Sequence, residues 1–305
     1  MTVFPAARSP GRLEVPIPGV APWRRGKVRD VYDLGERLLV VATDRLSAYD
    51  CVLPTPIPDK GAILTTLSAF WFRALATAPP HHLLSTDRAD FPAPFRDHPE
   101  LDGRAMLCRR AERIDVECVV RGALTGSGWR EYQTHGTLHG APLAKGLHDG
   151  SPLDPPVFTP TTKAEHGHDE PIAHGALPSI VGADLARELE ERSVALFVEA
   201  RTRARKAGLE LADTKFEVGH VAGRLTLIDE ILSPDSSRYW DGAEYAAGRR
   251  VGFDKQFVRD WLDHSGWDHV PPAPALPPDV VAMARARYLE ALARLAGPAA
   301  VAALA

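Results

Sequence analysis

Residues 213–230 read DTKFEVGHVAGRLTLIDE, and their pattern predicts two strands joined by a connection over residues 219–223. Side chains alternate across a strand with a period of two, so Asp213, Lys215 and Glu217 share one face. The return strand is apolar and ends at Asp229. A simple register pairs Asp229 more nearly with Asp213 than with Glu217. Acidic groups therefore converge on one side of a hairpin.

The carboxylates of this hairpin form the first candidate site. Like charges held close together are unfavourable unless a cation lies among them. Carboxylate oxygens are the ligands that Mg²⁺ prefers, and a lysine alongside suits a bound nucleotide. A solvated hairpin face is the alternative; we favour a metal because Ile228 makes Asp229 the end of a buried strand. The spacing leaves open which carboxylates would touch the ion.

Outside the hairpin, strand patterns precede helical ones. Strands are predicted at 27–32 and 38–42. Three helices are predicted after them: one that begins after a cap at Thr65 or Thr66, one over 184–207, and one that begins after a cap at Asp279. The stretch 135–182 is irregular and too long for a simple connection, which favours a functional loop. Early strands and later helices indicate the α+β class. We place a domain boundary near Glu112, giving domains over residues 1–112 and 113–305.

Composition excludes several classes of function. The chain has 305 residues, of which 45% are hydrophobic and 25% charged, and a net charge of −4, so neither a nucleic acid nor a membrane partner is expected. Three cysteines form no CxxC pair and no even set, which favours reduced thiols and a cytoplasmic location. Residues 1–22 lack the pattern of a signal peptide, and no apolar run reaches the roughly 20 residues of a membrane helix.

Two cations stand near the start of the chain. Lys27 and Arg29 follow Gly26, and as alternate residues of one strand they would share a face. Two cations beside a glycine suit a phosphate tail, whereas an exposed basic edge strand is the alternative. These residues alone do not decide between the two.

A second anion site is predicted where a strand ends in Arg121. The chain passes from there into a loop with three glycines and two hydroxyls, one of them on Ser127. Backbone N–H groups beside a guanidinium form a phosphate cradle, although a purely structural glycine turn remains open. Arg45 and Arg238, from two further polar loops, would join Arg121 around a doubly anionic substrate.

Six segments, in order along the chain, resemble the signature blocks of the SAICAR synthetase family: residues 26–32, 43–50, 117–129, 158–165, 212–219 and 228–240. One such block could arise by chance, but six in the family's order are specific. The resemblance implies an N-terminal antiparallel β domain akin to the small lobe of kinases and a larger C-terminal α+β domain. It also implies that ATP binds in the cleft between them.

The resemblance further implies a ligase of de novo purine biosynthesis that depends on ATP and Mg²⁺. In this reaction ATP activates the carboxylate of carboxyaminoimidazole ribonucleotide (CAIR), through an acyl phosphate, and L-aspartate displaces phosphate. A carboxylate is a poor acyl donor, and its activation brings two polyanions together. Such a site needs a metal ion and arginines more than a protein nucleophile.

Individual residues match positions with known roles in the family. Lys27 and Arg29 resemble ligands of the ATP phosphates. Glu217 and Asp229 resemble the carboxylates that handle Mg²⁺ and nucleotide, and Asp213 and Lys215 fall at catalytic positions. The residues that would bind or line the substrate site are Asp44, Ser47, Arg121, Ser127, Lys163, His168, Asp169, Asp235 and Arg238.

Two other functions fit part of the pattern. One is a different ATP-dependent phosphotransferase with a kinase-like lobe, but the arginine pocket favours a small phosphorylated substrate over a peptide hydroxyl. The other is a non-catalytic nucleotide-binding regulator, which is disfavoured because both phosphate cations and both metal carboxylates are present. The sequence leaves open a monomer or a small homo-oligomer, the order of substrate binding, whether the acyl phosphate is a discrete intermediate, and which residues bind L-aspartate.

Overall fold

The N-terminal part of the computed structural model, which describes residues 4–7, 9–163 and 169–304, is built around one antiparallel sheet. The strands, in chain order, are β1 (Arg24–Arg25), β2 (Arg29–Asp33), β3 (Arg37–Ala42), β4 (Ser47–Ala48), β5 (Cys51–Val52), β6 (Leu83–Ser85) and β7 (Ala105–Arg109). The sheet order is β1-β2-β3-β7-β6, and β4 and β5 form a separate hairpin. The predicted opening pair of strands is confirmed as β2 and β3.

A second, larger sheet carries the acidic hairpin. The strands of this half are β8 (Glu112–Ala123), β9 (Thr137–Leu138), β10 (Ala141–Pro142), β11 (Pro152–Phe158), β12 (Thr161–Thr162), β13 (Leu209–Val221), β14 (Arg224–Ile228) and β15 (Ser237–Asp241). β13 pairs with β8 along one edge, and β15 and then β14 occupy successive stretches of its other edge. β15 and β14 therefore part near Lys215, in the middle of β13.

Helices cover both sheets. They are α1 (Lys60–Ala74), α2 (Gly126–His135), α3 (Leu177–Val181), α4 (Ala183–Lys206), α5 (Gly242–Ala246), α6 (Gln256–His264), α7 (Pro278–Ala296) and α8 (Pro298–Ala302). In α4, Leu189, Leu196 and Phe197 are buried at helical spacing, and Gly208, with φ of +74°, lies just past its end. The long helix predicted over 184–207 is confirmed, and so is the α+β class.

Three local predictions were wrong. α1 begins at Lys60 rather than after Thr65 or Thr66, because the apolar run before the threonines is buried and continues the helix. Asp279 lies in the first turn of α7 rather than at its cap, since the helix starts at Pro278, where proline needs no N–H partner. The stretch 135–182 is not wholly irregular, because it contains β9 to β12 and α3.

The hydrophobic cores cross the predicted domain boundary. Residue 112 is the first residue of β8. One core cluster nevertheless joins Met106 of the N-terminal sheet to Phe216 of β13, and another joins Leu67 of α1 to Leu292 of α7. The division into domains at residues 1–112 and 113–305 therefore stays a prediction.

The two sheets are also joined by backbone hydrogen bonds at the end of β14. Leu227 donates its N–H to the carbonyl of Pro80 at 2.8 Å, and His82 donates its N–H to the carbonyl of Leu227 at 2.9 Å. The chain that leads into β6 thus runs beside the strand that ends at Asp229. Within the described ranges, none of the helices has the length and apolar character needed to cross a bilayer.

Candidate active site

The β13–β14 hairpin places Asp229 beside Glu217. Glu217 pairs with Ile228 in the strand register, so Asp229 is the next residue along. The connection is the two-residue turn Ala222–Gly223, and both residues have positive φ, at 50° and 73°. The predicted register, with Asp229 nearer Asp213, is wrong because it assumed a longer connection.

Acidic and basic side chains from this hairpin and its neighbours form one largely buried cluster. Lys163 Nζ lies 2.7 Å from an oxygen of Glu117 and 2.7 Å from an oxygen of Glu217. Lys215 Nζ lies 2.5 Å from the same Glu117 oxygen. Burial alone would raise the pKa of Glu117, but Lys215 and Lys163 outweigh it and lower that pKa. Burial and the charge of Asp229 raise the pKa of Glu217.

Glu117 is a site residue that the sequence analysis missed. It is buried, and it stands opposite Glu217 in the ladder between β8 and β13. The available signal was its place on β8, four residues before Arg121, which puts both side chains on one face of that strand.

Arg29 reaches this cluster from the N-terminal sheet. Its guanidinium forms ion pairs with the carboxylates of Asp229 and Glu230. Burial opposes the charge of Arg29, but these two acids outweigh it and raise its pKa. Burial alone would raise the pKa of Asp229, but the charge of Arg29 outweighs burial and lowers that pKa. The described structure therefore brings together Arg29, Asp229 and Glu217, as predicted for a nucleotide site.

Lys27 does not share a strand face with Arg29, so that expectation was wrong. Lys27 lies in the turn between β1 and β2, and its side chain, 54% exposed, forms an ion pair with Asp50. Arg45 was expected to bind substrate, but it instead fixes this turn through hydrogen bonds to its backbone. It donates to the carbonyls of Gly26 at 3.0 Å and of Lys27 at 3.2 Å, and it pairs with buried Asp30 at 2.7 Å.

A polar cleft of about 170 Å³ opens beside the cluster, where β15 and β14 part. Arg121 and Arg238 both bind one carboxylate oxygen of Asp213, the former at 3.2 Å. Arg121 also donates to Ser127 Oγ at 3.1 Å. Gly126 allows this arrangement, because a Cβ there would lie 2.6 Å from the Arg238 guanidinium. Four predicted site residues thus converge: Arg121, Ser127, Asp213 and Arg238.

Asp235 also lines the cleft, but its carboxylate is fully engaged by the protein. One oxygen accepts from Lys60 Nζ at 2.6 Å and lies 3.2 Å from Lys255 Nζ, and the other accepts from the Tyr288 hydroxyl at 2.7 Å. Burial would raise the pKa of Asp235, but the lysines outweigh it and lower that pKa far below its ordinary value. Asp235 therefore holds the Lys255 side chain in place at the cleft.

Lys255 and Arg259 line the same cleft and were missed in the sequence. They lie four residues apart at the start of α6, a spacing that places two cations on one helix face. That spacing was the only local signal for them. With Arg121, Lys215 and Arg238 they bring five cations to the cleft, against the carboxylates of Asp213, Asp235 and Asp254, so its lining carries a net positive charge.

Four of the predicted substrate residues that the structure describes do not line the cleft, namely Asp44, Ser47, Lys163 and Asp169. Asp44 is fully buried, and its oxygens accept from the backbone N–H of Arg12 and Gly61 and from Arg104. Ser47 lies in β4, Lys163 belongs to the acidic cluster, and Asp169 is exposed. The prediction for His168 falls outside the described residues. Their predicted contacts with substrate stay predictions.

The donor set fits Mg²⁺ delivered with a nucleotide. Among residues 4–7, 9–163 and 169–304, no group of three metal-binding side chains is assembled. Mg²⁺ is commonly held by one or two carboxylates together with substrate phosphates, which is what Glu217 and Asp229 offer. In addition, Oε2 of Glu230 is buried and has no hydrogen-bond partner in the described part of the chain. Hard oxygen donors are thus present without a closed protein cage.

Comparison with known proteins gives one consistent result. Residues 22–274 match the family model described as SAICAR synthetase. The phosphoribosylaminoimidazole-succinocarboxamide synthase of Syntrophobacter fumaroxidans is 48% identical over 288 residues, covering 93% of this chain and 96% of the relative. The synthase of the same name from Desulfosudis oleivorans is 50% identical over 283 residues, covering 92% and 97%. The solved SAICAR synthase of Saccharomyces cerevisiae, complexed with SAICAR, has a TM-score of 0.83 at 38% identity, covering 93% and 97%.

Proposed function

This chain belongs to the SAICAR synthetase family, and we propose that it joins L-aspartate to CAIR with the two anion-binding regions that meet on β13. The reaction is the ATP-dependent formation of an amide between the amino group of L-aspartate and the carboxylate of CAIR. Its products are SAICAR, ADP and phosphate. This makes the chain a carbon–nitrogen ligase of purine biosynthesis.

The observation that carries this assignment is the arrangement of charge along β13. Lys215 and Glu217 belong to the cluster that Arg29 reaches, whereas Asp213, two residues earlier, belongs to the arginine-lined cleft. A ligase that activates a carboxylate with ATP must hold two polyanions side by side. The strand carries the arginine-lined cleft for one of them and, for the other, the cluster in which Glu217 and Asp229 would hold Mg²⁺ beside Arg29.

The nucleotide end of the site consists of Lys27, Arg29, Glu217 and Asp229. Lys27 is exposed at a turn and is suited to contact phosphate as a point charge. Glu217 and Asp229 would hold Mg²⁺, which when bound supplies positive charge near the phosphates. Arg29 already neutralises Asp229 in the protein, so it can pass from that carboxylate to phosphate when nucleotide binds.

The substrate end consists of Arg121, Ser127 and Arg238, with Lys255 and Arg259 as further cations. Arginine binds phosphate and carboxylate through two parallel hydrogen bonds, which suits an anionic ribonucleotide. Asp213 orients both arginines, and Lys215 stands between the two regions. We assign Asp213 and Lys215 the task of aligning the CAIR carboxylate for attack on the terminal phosphate of ATP.

Aspartate must then approach the activated carboxylate. Lys163, which precedes His168 and Asp169 in the sequence, reaches the catalytic cluster through Glu117 and Glu217. We propose that Lys163 borders the site where the amine attacks, and that His168 and Asp169 act with it. We also propose a cytoplasmic location for the protein. Its support is that three buried cysteines form no disulfide, namely Cys51, Cys108 and Cys118.

A phosphate-release assay tests the function. Wild-type protein with ATP, Mg²⁺ and CAIR should form SAICAR only when L-aspartate is added, with one phosphate released per product. Asp229→Asn should lower turnover by at least about a hundredfold, or roughly 2.7 kcal/mol of transition-state stabilisation. Asp184→Asn, at a side chain 97% exposed on α4, is the matched control. Phosphate transfer to CAIR as a final product, with no amide formed, would favour a phosphotransferase instead.

A further inference from the structure

His82 is a buried residue whose side chain contacts the backbone of Asp229, the candidate metal ligand. It lies in the segment that precedes β6 and is 4% exposed. Its Nε2 lies 3.1 Å from the backbone carbonyl of Asp229. A carbonyl oxygen only accepts hydrogen bonds, so Nε2 must carry the proton and donate it.

The residue held in this way has an unusual backbone. Asp229 has a φ of 60°, a left-handed conformation that side chains other than glycine adopt at some cost. The conformation turns the chain at the end of β14, where Ile228 still pairs with Glu217. Such a conformation persists when the surrounding structure fixes it.

Both ends of Asp229 are held by the N-terminal part of the chain. Arg29 of β2 binds its carboxylate, and His82 binds its carbonyl. The backbone of His82 is itself fixed by its hydrogen bond to Leu227. Cys108 of β7 packs against the ring, with Sγ 3.6 Å from Nε2. The imidazole is therefore locked in place before any ligand binds.

We propose that His82 is a positioning residue that holds Asp229 in its left-handed conformation and so aims its carboxylate at the nucleotide-bound cation. This rests on the proposed function of the site, because it assumes that Asp229 meets Mg²⁺ there. His82 touches no reacting group itself. It acts through one hydrogen bond to the backbone.

The test compares three variants of His82 with one control. His82→Leu removes the donor, and His82→Gln restores a donor, because its amide nitrogen can take the place of Nε2. His82→Asn keeps the polarity, but its shorter side chain leaves the amide nitrogen short of the carbonyl. His81→Leu makes the same change at the neighbouring residue, whose ring packs at a tilt against Phe72.

The main measurement is the binding of ADP by calorimetry, with and without Mg²⁺. In His82→Leu and His82→Asn, the gain in ADP affinity on adding Mg²⁺ should shrink by about tenfold, as expected for one lost hydrogen bond of about 1.4 kcal/mol. Affinity for ADP without Mg²⁺ and the KM for CAIR should stay within about twofold of the wild type. His82→Gln should recover most of the Mg²⁺-dependent gain, and His81→Leu should keep all of it.

Melting curves separate this role from a merely structural one. If His82→Leu and His82→Asn melt earlier yet keep the wild-type response of ADP binding to Mg²⁺, the proposal is overturned. If His82→Leu does not fold, the comparison of His82→Gln with His82→Asn still decides, and equal Mg²⁺ responses in that pair reject it. Failure of wild-type protein to form SAICAR would count against the proposed function alone, because the binding measurement needs neither CAIR nor aspartate.

Discussion

Glu117 and Glu217 lie directly opposite each other in the ladder between β8 and β13. Two facing carboxylates repel unless a cation lies between them, and Lys163 contacts both at 2.7 Å. Lys163→Met should therefore lower the free energy of unfolding by about 1–3 kcal/mol. Adding Glu117→Gln should recover part of that loss.

A double-mutant cycle measured by urea unfolding checks this coupling. The single variants Lys163→Met and Glu117→Gln and the double variant are compared with the wild type. Strictly additive changes in the free energy of unfolding would mean that Lys163 does not screen the pair.

Removing Lys27 should weaken nucleotide use alone. Lys27→Ala deletes one charge-assisted contact to phosphate, so the KM for ATP should rise by about 10- to 100-fold. The KM values for CAIR and aspartate should change little, because Lys27 lies on an exposed turn and not in the arginine cleft. Steady-state kinetics with each substrate varied in turn give the answer. An equal rise for all three substrates would indicate a folding defect instead.

Replacing Arg238 by lysine keeps the charge but removes the planar fork that binds two oxygens at once. Arg238 pairs with Asp213 beside Gly126, at the mouth of the cleft. Arg238→Lys should weaken CAIR use by a factor between about ten and a few hundred. ATP binding measured without CAIR should stay near that of the wild type.

The competing interpretation is that Arg238 only stabilises Asp213. It predicts a lower melting temperature with unchanged CAIR kinetics. Titration of CAIR against Arg238→Lys, alongside a melting curve, separates the two, and an unaltered KM and kcat for CAIR would remove Arg238 from the site.

Glu199 ties α4 to the end of α1 and should make stability depend on pH. Its carboxylate accepts from the backbone N–H of Ala76 at 3.0 Å and of Thr77 at 2.9 Å. Burial would raise the pKa of Glu199, but these bonds and one from the Thr77 hydroxyl outweigh it and lower the pKa to about 2. Because the folded pKa lies below the ordinary value of 4.5, this stabilisation is complete above about pH 4.5 and is lost as the pH falls towards about 2.

The variant Glu199→Ala tests that dependence. Near pH 7 it should lower the free energy of unfolding by about 1–3 kcal/mol, and its difference from the wild type should narrow at about pH 3. Glu191→Ala, on the exposed side of α4, is the control and should show little difference at either pH. A gap of equal size at both pH values would contradict the role of the ionised carboxylate.

Local sequence patterns predicted the elements of the site better than its contacts. Period-two alternation was enough to identify the strands of the acidic hairpin, because burial of one face selects that pattern. It did not fix the register, which depends on whether Ala222 and Gly223 alone form the turn. A shift of this kind changes which acid lies beside Glu217.

Contacts between distant residues left no local trace. Lys163 and Glu117 are 46 residues apart in the chain, and Arg29 and Asp229 are 200 apart. Arg45 was expected in the substrate site because it lies in a polar loop, yet it is buried and holds a turn. A charged residue in a polar loop has the same sequence signature whether it binds a ligand or the backbone, and only the packing around it decides.

The hydrogen bond from Tyr288 to Asp235 links the cleft to a helix that lies beyond the residues matched by the family model. Tyr288 belongs to α7, which follows the matched residues 22–274, yet its hydroxyl holds the carboxylate that fixes Lys255 at the cleft. Trimming the chain to residues 22–274 would leave that carboxylate oxygen without its donor and deprive Leu67 of its packing against α7. A minimal version of this ligase should therefore keep α7, because its loss would disturb both the support of Lys255 and the core beneath α1.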